Sequence, residues 1–176
     1  MLFSGSAVPA NMDDVVHTGT GRFSWLTMRP MTLYESGESN GTISLSELFN
    51  SVSKLSGINE LTLEDIAYLC CRGGWPRSVF MDKDIALEQA YDYYDAVVNS
   101  DISRVDNIKR DELLTRQILK SYSRNISTLA KISSILEDVV ASGEVGCTRP
   151  TFDDYVNVLT RLFVIDDIPG GIPLNN

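Results

Sequence analysis

The sequence predicts a mainly α protein with a small β part. Helices are indicated by start signals such as the capping box of Ser44 and Glu47, in which a hydroxyl and a carboxylate each satisfy a free amide. They are also indicated by apolar residues at helical spacing, as on one face of 127–141, which carries Leu129, Ile132, Leu136 and Val139. The β part is indicated by Leu2 and Phe3, which run into small residues as in a buried parallel strand.

The first 42 residues are predicted to hold most of the β structure. A strand over 2–6 is followed by a short helix over 10–16 and a glycine loop. A second strand is predicted over 23–28, where Phe23 and Trp25 alternate with other side chains. A short helix then ends at a glycine, and the polar stretch GESNGT marks a boundary.

From residue 43 the chain is predicted to be almost entirely helical. Further capping boxes begin at Thr62 and Thr151. The predicted helices cover 45–55, 63–71, 84–99, 110–124, 127–141 and 152–163. A short apolar strand is expected over 163–168, after the last helix.

Composition and charge exclude some classes of function. The chain has 176 residues and a net charge of −9, which opposes general attraction to nucleic acid. Residues 102–131 are the exception, with 7 basic and 3 acidic side chains. The sequence has no window of about 20 apolar residues and no basic, apolar leader, which predicts a cytoplasmic protein without a membrane partner. The three cysteines are interpreted as reduced thiols.

Few motifs point to catalysis. Neither GxGxxG nor GxxxxGK[ST] occurs in the chain, so it has no recognisable phosphate loop. His17 is interpreted as a loop residue without a catalytic partner. The aspartate pairs at 13–14 and 153–154 diverge on a helix and are better explained as helix N-terminal charge than as metal ligands. No metal site and no catalytic residue are predicted.

The segment CCRGGWPRSVF, residues 70–80, is less ordinary. Its glycines and proline explain a helix C-cap and a turn. Arg72 and Arg77 flank this turn and have the chemistry to bind an anion held by a neighbouring domain.

The last third resembles a helix-turn-helix. Its second helix exposes more acidic than basic groups, which favours a packing scaffold over a DNA reader. DNA stays a possible partner because basic side chains precede the motif. The candidate nucleic-acid-binding residues are Lys109, Arg110, Arg116, Lys120, Arg124 and Lys131.

The order of motifs resembles a prokaryotic family of AAA+-type P-loop ATP-binding proteins with a C-terminal domain of unknown function. The motifs are FSGSAVP, HTGTGRFSWLTMRPMTLYESG, LCCRGGWP and TFDDYVNVLTRLFVIDDIP, which span about residues 1–169. The resemblance implies remnant parallel strands of an AAA+ core over 1–42, a helical lid over 43–100 and a winged-helix-like three-helix module over 101–169. Residues 170–176 are then a tail.

The same resemblance implies nucleotide-sensing residues. Ser6 takes the place of the sensor residue near the terminal phosphate, and Ser4 is a second choice. Arg22 resembles an arginine presented near the ATPase site, and Arg72 or Arg77 resembles a second sensor in the lid.

Family members bind ATP and magnesium through Walker A and Walker B motifs, which this sequence lacks. The chain is therefore expected to be the middle portion of such an ATPase, without ATPase activity or a cofactor of its own. A DNA-binding regulator and a protein-interaction module are the alternatives. Self-association, or a partner chain, is expected through the N-terminal strands, whose edges would otherwise be open.

Overall fold

The computed structural model describes residues 26–50, 56–143 and 145–167. The regular elements within these ranges are helices. They are α1 (Leu45–Asn50), α2 (Leu63–Arg72), α3 (Pro76–Val79), α4 (Lys83–Ala96), a π-helical turn (Val97–Asp101), α5 (Ile102–Arg104), α6 (Glu112–Arg124), α7 (Ile132–Ala141) and α8 (Arg149–Arg161). The predicted strand over 2–6 and the first half of the strand over 23–28 lie outside the described residues.

The predicted β part, the remnant parallel strands of an AAA+ core, is wrong for the described residues, because no strand occurs in 26–50, 56–143 or 145–167. Leu26 is 93% exposed, so residues 26–28 lack the cover that a buried parallel strand needs. Residues 163–167, the described part of the strand expected over 163–168, form the end of a helix and the turn after it. Phe163 takes a positive φ of 57°, and the Val164 amide donates to the Leu159 carbonyl at 2.9 Å. This is a Schellman motif, which turns the chain directly after α8.

The described residues fall into two compact units, 26–94 and 95–167. In the first unit α2 begins as the sequence predicts, because Thr62 and Asp65 form a reciprocal capping box. Buried apolar side chains in this unit are few, with Leu69 and Ala86 among the described residues.

The second unit holds the main hydrophobic core. α6, α7 and α8 contribute Leu114, Ile118, Ile135, Val139, Phe152, Tyr155, Val158 and Leu159, and the segments on either side add Val97, Ile102 and Ile165. These positions recur at helical spacing, so each helix buries one apolar stripe. The core therefore depends on three helices and the residues next to them.

Two sequence-based details of this unit are corrected. Leu129 does not share the buried face of α7, because the helix begins at Ile132 and Leu129 is 103% exposed. α8 begins three residues earlier than predicted: Thr148 accepts from the Thr151 amide, and a proline occupies the first turn.

Across the described ranges, none of the helices combines the length and the apolar character that a membrane span requires.

Candidate functional site

The RGGWP segment joins the end of α2 to the chain near residue 31. Gly73 caps α2 with a positive φ of 71°, and its amide donates to the Leu69 carbonyl at 3.0 Å. The Gly74 carbonyl accepts a hydrogen bond from the Met31 amide at 2.7 Å. A Cβ on Gly74 would lie 2.2 Å from the Met31 carbonyl oxygen, so only glycine fits. The tandem glycines thus have separate structural roles.

Arg72 is buried at this junction, with 3% of its surface exposed. Its Nη1 donates to Oε1 of Glu38 at 2.6 Å, and its Nε donates to the Gly73 carbonyl at 3.1 Å. Burial opposes ionisation of Glu38, but hydrogen bonds from Arg72 and Ser36 outweigh it and lower the pKa of this carboxyl. Glu38 is therefore ionised at neutral pH and holds the guanidinium in place.

This pairing bears on the sensor role that the sequence suggested for Arg72. The guanidinium also lies 5.9 Å from the Tyr68 ring centroid. An incoming phosphate would have to compete with the Glu38 carboxylate for the same group. These contacts indicate a structural role for Arg72, which links Glu38 to the end of α2.

Arg77, the other candidate in this unit, lies on α3 and is exposed. It lines a shallow cavity of about 240 Å³ together with Met81, Ile85, Glu88, Gln89 and Asp92. Gln89 is positioned by Ser78, whose buried hydroxyl donates to its side-chain oxygen at 3.0 Å. This cavity combines aliphatic side chains with a carboxylate rim. The remaining sensor candidates, Ser6 and Arg22, lie outside the described residues.

Arg110, one of the candidate nucleic-acid-binding residues, is almost completely buried. Its guanidinium donates to both carboxylate oxygens of Asp106 at 2.8 Å, to Asp154 at 3.0–3.2 Å and to the Ile102 carbonyl at 2.9 Å. The hydrogen bonds from Arg110 lower the pKa of Asp106 to about 2, against the opposing effect of burial. The Arg110 charge is thus enclosed by two carboxylates and is not presented to a ligand.

Two further arginines of the basic cluster form ion pairs with aspartates of the same unit. Arg116 contacts Asp95 at 2.8 Å. Arg124 is paired with Asp138, whose carboxylate also accepts from the Ser121 hydroxyl at 2.6 Å. These bonds hold α6 against its neighbours. The lysines of the cluster, Lys109, Lys120 and Lys131, are exposed.

The acidic groups of α8 are also paired. Asp153 binds Arg149 one helical turn away at 2.8 Å, and Asp154 binds Arg110. The helix that would read DNA in a helix-turn-helix therefore uses its carboxylates for intramolecular contacts.

Sequence reasoning missed several residues that organise these sites. Glu38 lies 34 positions before Arg72, so no local pattern links them. Asp106 and Arg110 are only four residues apart, but both lie between α5 and α6, so the i,i+4 rule for helices does not predict their pairing. Within the described ranges, no group of three or more histidine, cysteine, aspartate or glutamate side chains is arranged to hold a metal ion.

The fold and these contacts define, for the described residues, a helical protein that uses many of its arginines as internal structural groups. A family model described as a domain of unknown function, DUF8612, matches residues 63–171, which is more than half of the chain. The chain belongs to this family. Comparisons with curated proteins and with solved structures found no match.

Proposed function

We propose that this chain is a noncatalytic helical module of an AAA+-type ATP-binding protein and acts through protein contacts. The observation that carries the proposal is an uncovered apolar face on α1. The AAA+ assignment itself rests on the motif resemblance of about residues 1–169. The cytoplasm is the compartment in which we expect the protein to act.

The apolar face of α1 consists of Leu45, Leu48 and Phe49, which follow the i, i+3, i+4 spacing of one helix face. None of the helix's residues is buried, and Phe49 is 84% exposed. Burial of this face against another protein would stabilise the helix and remove the apolar surface from water.

The nucleotide chemistry of the proposed assembly belongs to a Walker-bearing region, because this sequence lacks both phosphate-binding motifs. Among the described residues, the Arg72 guanidinium is not available as a substitute, because it is already bound by Glu38. We therefore assign neither ATP nor magnesium to this chain alone.

The ion pairs of the basic cluster favour a protein-interaction role over DNA binding. Arg110, Arg116 and Arg124 all bind carboxylates of the chain itself. Phosphate contacts would have to displace these pairs, and the net charge of −9 opposes approach to a polyanion.

The decisive experiment begins with sequencing on both sides of the reading frame. We expect a Walker A and Walker B coding region next to it, and we expect its product to co-purify with this chain. The F49D substitution should abolish the complex, because it places a charge in the apolar face of α1. The matched control is L113D, which alters an exposed leucine in the first turn of α6, where aspartate is tolerated.

The absence of a Walker-bearing neighbour, or a complex that survives F49D unchanged, would contradict the proposal. Tight binding of ATP by the isolated chain in calorimetry would contradict its noncatalytic part.

A further inference from the structure

We propose that Asn40 is a site of spontaneous deamidation, at which the side chain is converted to aspartate and isoaspartate through a cyclic imide formed with the Gly41 nitrogen. The site lies in the loop before α1, where Asn40, Gly41 and Thr42 are all exposed. Asn40 and Gly41 form the one Asn-Gly pair in the sequence. The proposal is independent of the AAA+ assignment.

The nitrogen that attacks in this reaction is the backbone nitrogen of Gly41. Glycine has no Cβ, so no side chain hinders the approach of this nitrogen to Asn40. The loop itself requires glycine here, because Gly41 has a positive φ of 67°. The Gly41 amide donates to the Ser39 hydroxyl at 3.3 Å, which is long for a hydrogen bond. The nitrogen is therefore weakly held and can lose its proton to solvent.

The carbonyl that is attacked is the side-chain carbonyl of Asn40, and two donors of Thr42 activate it. The Thr42 amide donates to Asn40 Oδ1 at 3.0 Å, and the Thr42 hydroxyl donates to the same oxygen at 2.7 Å. The ring closed by the amide hydrogen bond contains both Cγ of Asn40 and the Gly41 nitrogen, so the two reacting atoms are kept near each other. Both donors stabilise the negative charge that develops on Oδ1 during the attack, as in an oxyanion hole.

The conversion uses water as its co-reactant and involves no electron transfer. The deprotonated Gly41 nitrogen bonds to Cγ of Asn40, and Nδ2 takes up a proton and leaves as ammonia. Water then opens the five-membered imide. Cleavage of the new N–Cγ bond gives aspartate, and cleavage of the original peptide bond gives isoaspartate. Each product carries one more negative charge, and its carboxylate cannot donate the 3.4 Å hydrogen bond that Asn40 Nδ2 makes to the Ile58 carbonyl.

Asn59 provides a matched control within the same chain. Its Oδ1 accepts from the Leu61 amide at 2.9 Å, which is the same type of turn, and Asn59 is also exposed. Glu60 follows it in place of glycine, and Leu61 has no hydroxyl to act as a second donor. We therefore expect Asn59 to deamidate at least about 10-fold more slowly than Asn40.

The test is the rate of deamidation in the full chain, incubated at about pH 8 and followed by peptide mass spectrometry. Fragment spectra should show a gain of about 1 Da at residue 40, and isoaspartyl methyltransferase with labelled S-adenosylmethionine should mark the isoaspartate. T42V removes the hydroxyl donor at an exposed position and should slow the reaction about 2- to 10-fold, whereas T42S retains the hydroxyl and should not. In about 8 M urea, where the turn is lost, T42V and the natural sequence should react at equal rates.

The absence of a mass gain at Asn40, or an equal rate at Asn59, overturns the proposal. Equal rates for T42V and the natural sequence in the folded chain overturn the activating role of Thr42. N40Q would have to close a six-membered ring and should lose the mass gain at residue 40, so a retained gain in this variant also overturns the proposal.

Discussion

At the scale of single residues, buried charges and hydroxyls determine how the second unit is held together. Arg110 is surrounded by Asp106, Asp154 and a backbone carbonyl, and its guanidinium lies 5.8 Å from the Tyr155 ring centroid. The Tyr155 hydroxyl accepts a hydrogen bond from the Asp111 amide at 2.7 Å. These contacts connect the start of α6 to α8, so their loss should loosen both helices together.

The Asp106–Arg110 pair should make stability depend on acid pH. Since the folded-state pKa of Asp106 is about 2 and its ordinary value is 3.8, the pair stabilises the fold above about pH 4 and loses this contribution as pH falls toward 2. We expect D106N to lower the unfolding free energy at pH 7 by about 2 kcal/mol. The unfolding free energy of this variant should also change less between pH 4 and pH 2 than that of the natural sequence. Urea unfolding at a series of pH values measures both effects.

The control for this experiment is D153N, which removes a more exposed ion pair with Arg149. A surface pair contributes at most about 1 kcal/mol, so its effect should be small. Equal acid sensitivity of D106N and the natural sequence would show that Asp106 is not the responsible group.

Removal of the side-chain hydroxyl should change the stability of the protein differently at two tyrosines that contact the core. The Tyr122 hydroxyl is buried and has no hydrogen-bond partner among the described residues, and burial raises its pKa to about 12. Y122F should therefore leave stability unchanged or raise it by up to about 1 kcal/mol, whereas Y155F should lower it by about 1 kcal/mol. Thermal unfolding of the paired variants tests this, and a larger loss for Y122F than for Y155F would refute it.

At the scale of elements, helix ends explain the motifs that stood out in the sequence. The end of α2 uses Gly73 as its cap and Gly74 for a close backbone approach, and the end of α8 uses Phe163 in the left-handed region. Trp75 then packs on Tyr93, with ring centroids 4.7 Å apart. The RGGWP motif is thus a connection between segments in the first unit.

Gly74 offers a direct test of this connection. G74A should destabilise the first unit by about 2 kcal/mol or more, because the added Cβ meets the Met31 backbone at 2.2 Å and cannot be accommodated by a side-chain shift. G146A is the matched control, since a Cβ there meets nothing within 4 Å. Amide hydrogen exchange around α2 should become faster in G74A but not in G146A. Equal exchange rates in the two variants would contradict the close contact between Gly74 and the Met31 backbone.

At the scale of the whole molecule, the hydrophobic core is unequally distributed. The buried apolar cluster, from Val97 to Ile165, lies entirely within the unit of residues 95–167. The described part of the first unit buries few apolar side chains and exposes many, including Phe49, Leu63 and Phe80. Since apolar burial is the main stabilising contribution, the second unit should be the more stable.

We therefore expect residues 95–176, expressed alone, to fold into a helical unit with a cooperative thermal transition. Circular dichroism and amide-proton dispersion in NMR spectra measure this directly. The counterpart, residues 19–94, should show weaker exchange protection because its described core is small. A random-coil spectrum for 95–176 would show that its core needs residues outside this segment.

Sequence patterns alone determined the helical character of the described residues and several of the helix boundaries. The Thr62–Asp65 capping box was predictable because its signal is confined to four residues. Apolar spacing likewise predicted the face of α7 on which Ile132, Leu136 and Val139 pack in or against the core. The exposed position of Leu129 was not predictable, because an apolar residue next to a helix has the same local pattern whether it is buried or not.

Only the tertiary structure decided what the charged residues do and whether the apolar segments form strands. The sequence suggested that Arg72 could bind an anion, but in the fold it is paired with Glu38, which is distant in sequence. Arg110, a candidate for binding nucleic acid, is likewise paired with the distant Asp154. The apolar stretch after α8 looked like a strand, but a strand needs a paired neighbour, and here the chain turns at Phe163 instead. Local patterns fix local hydrogen bonds, whereas ion pairs and sheets depend on which distant residues the fold brings together.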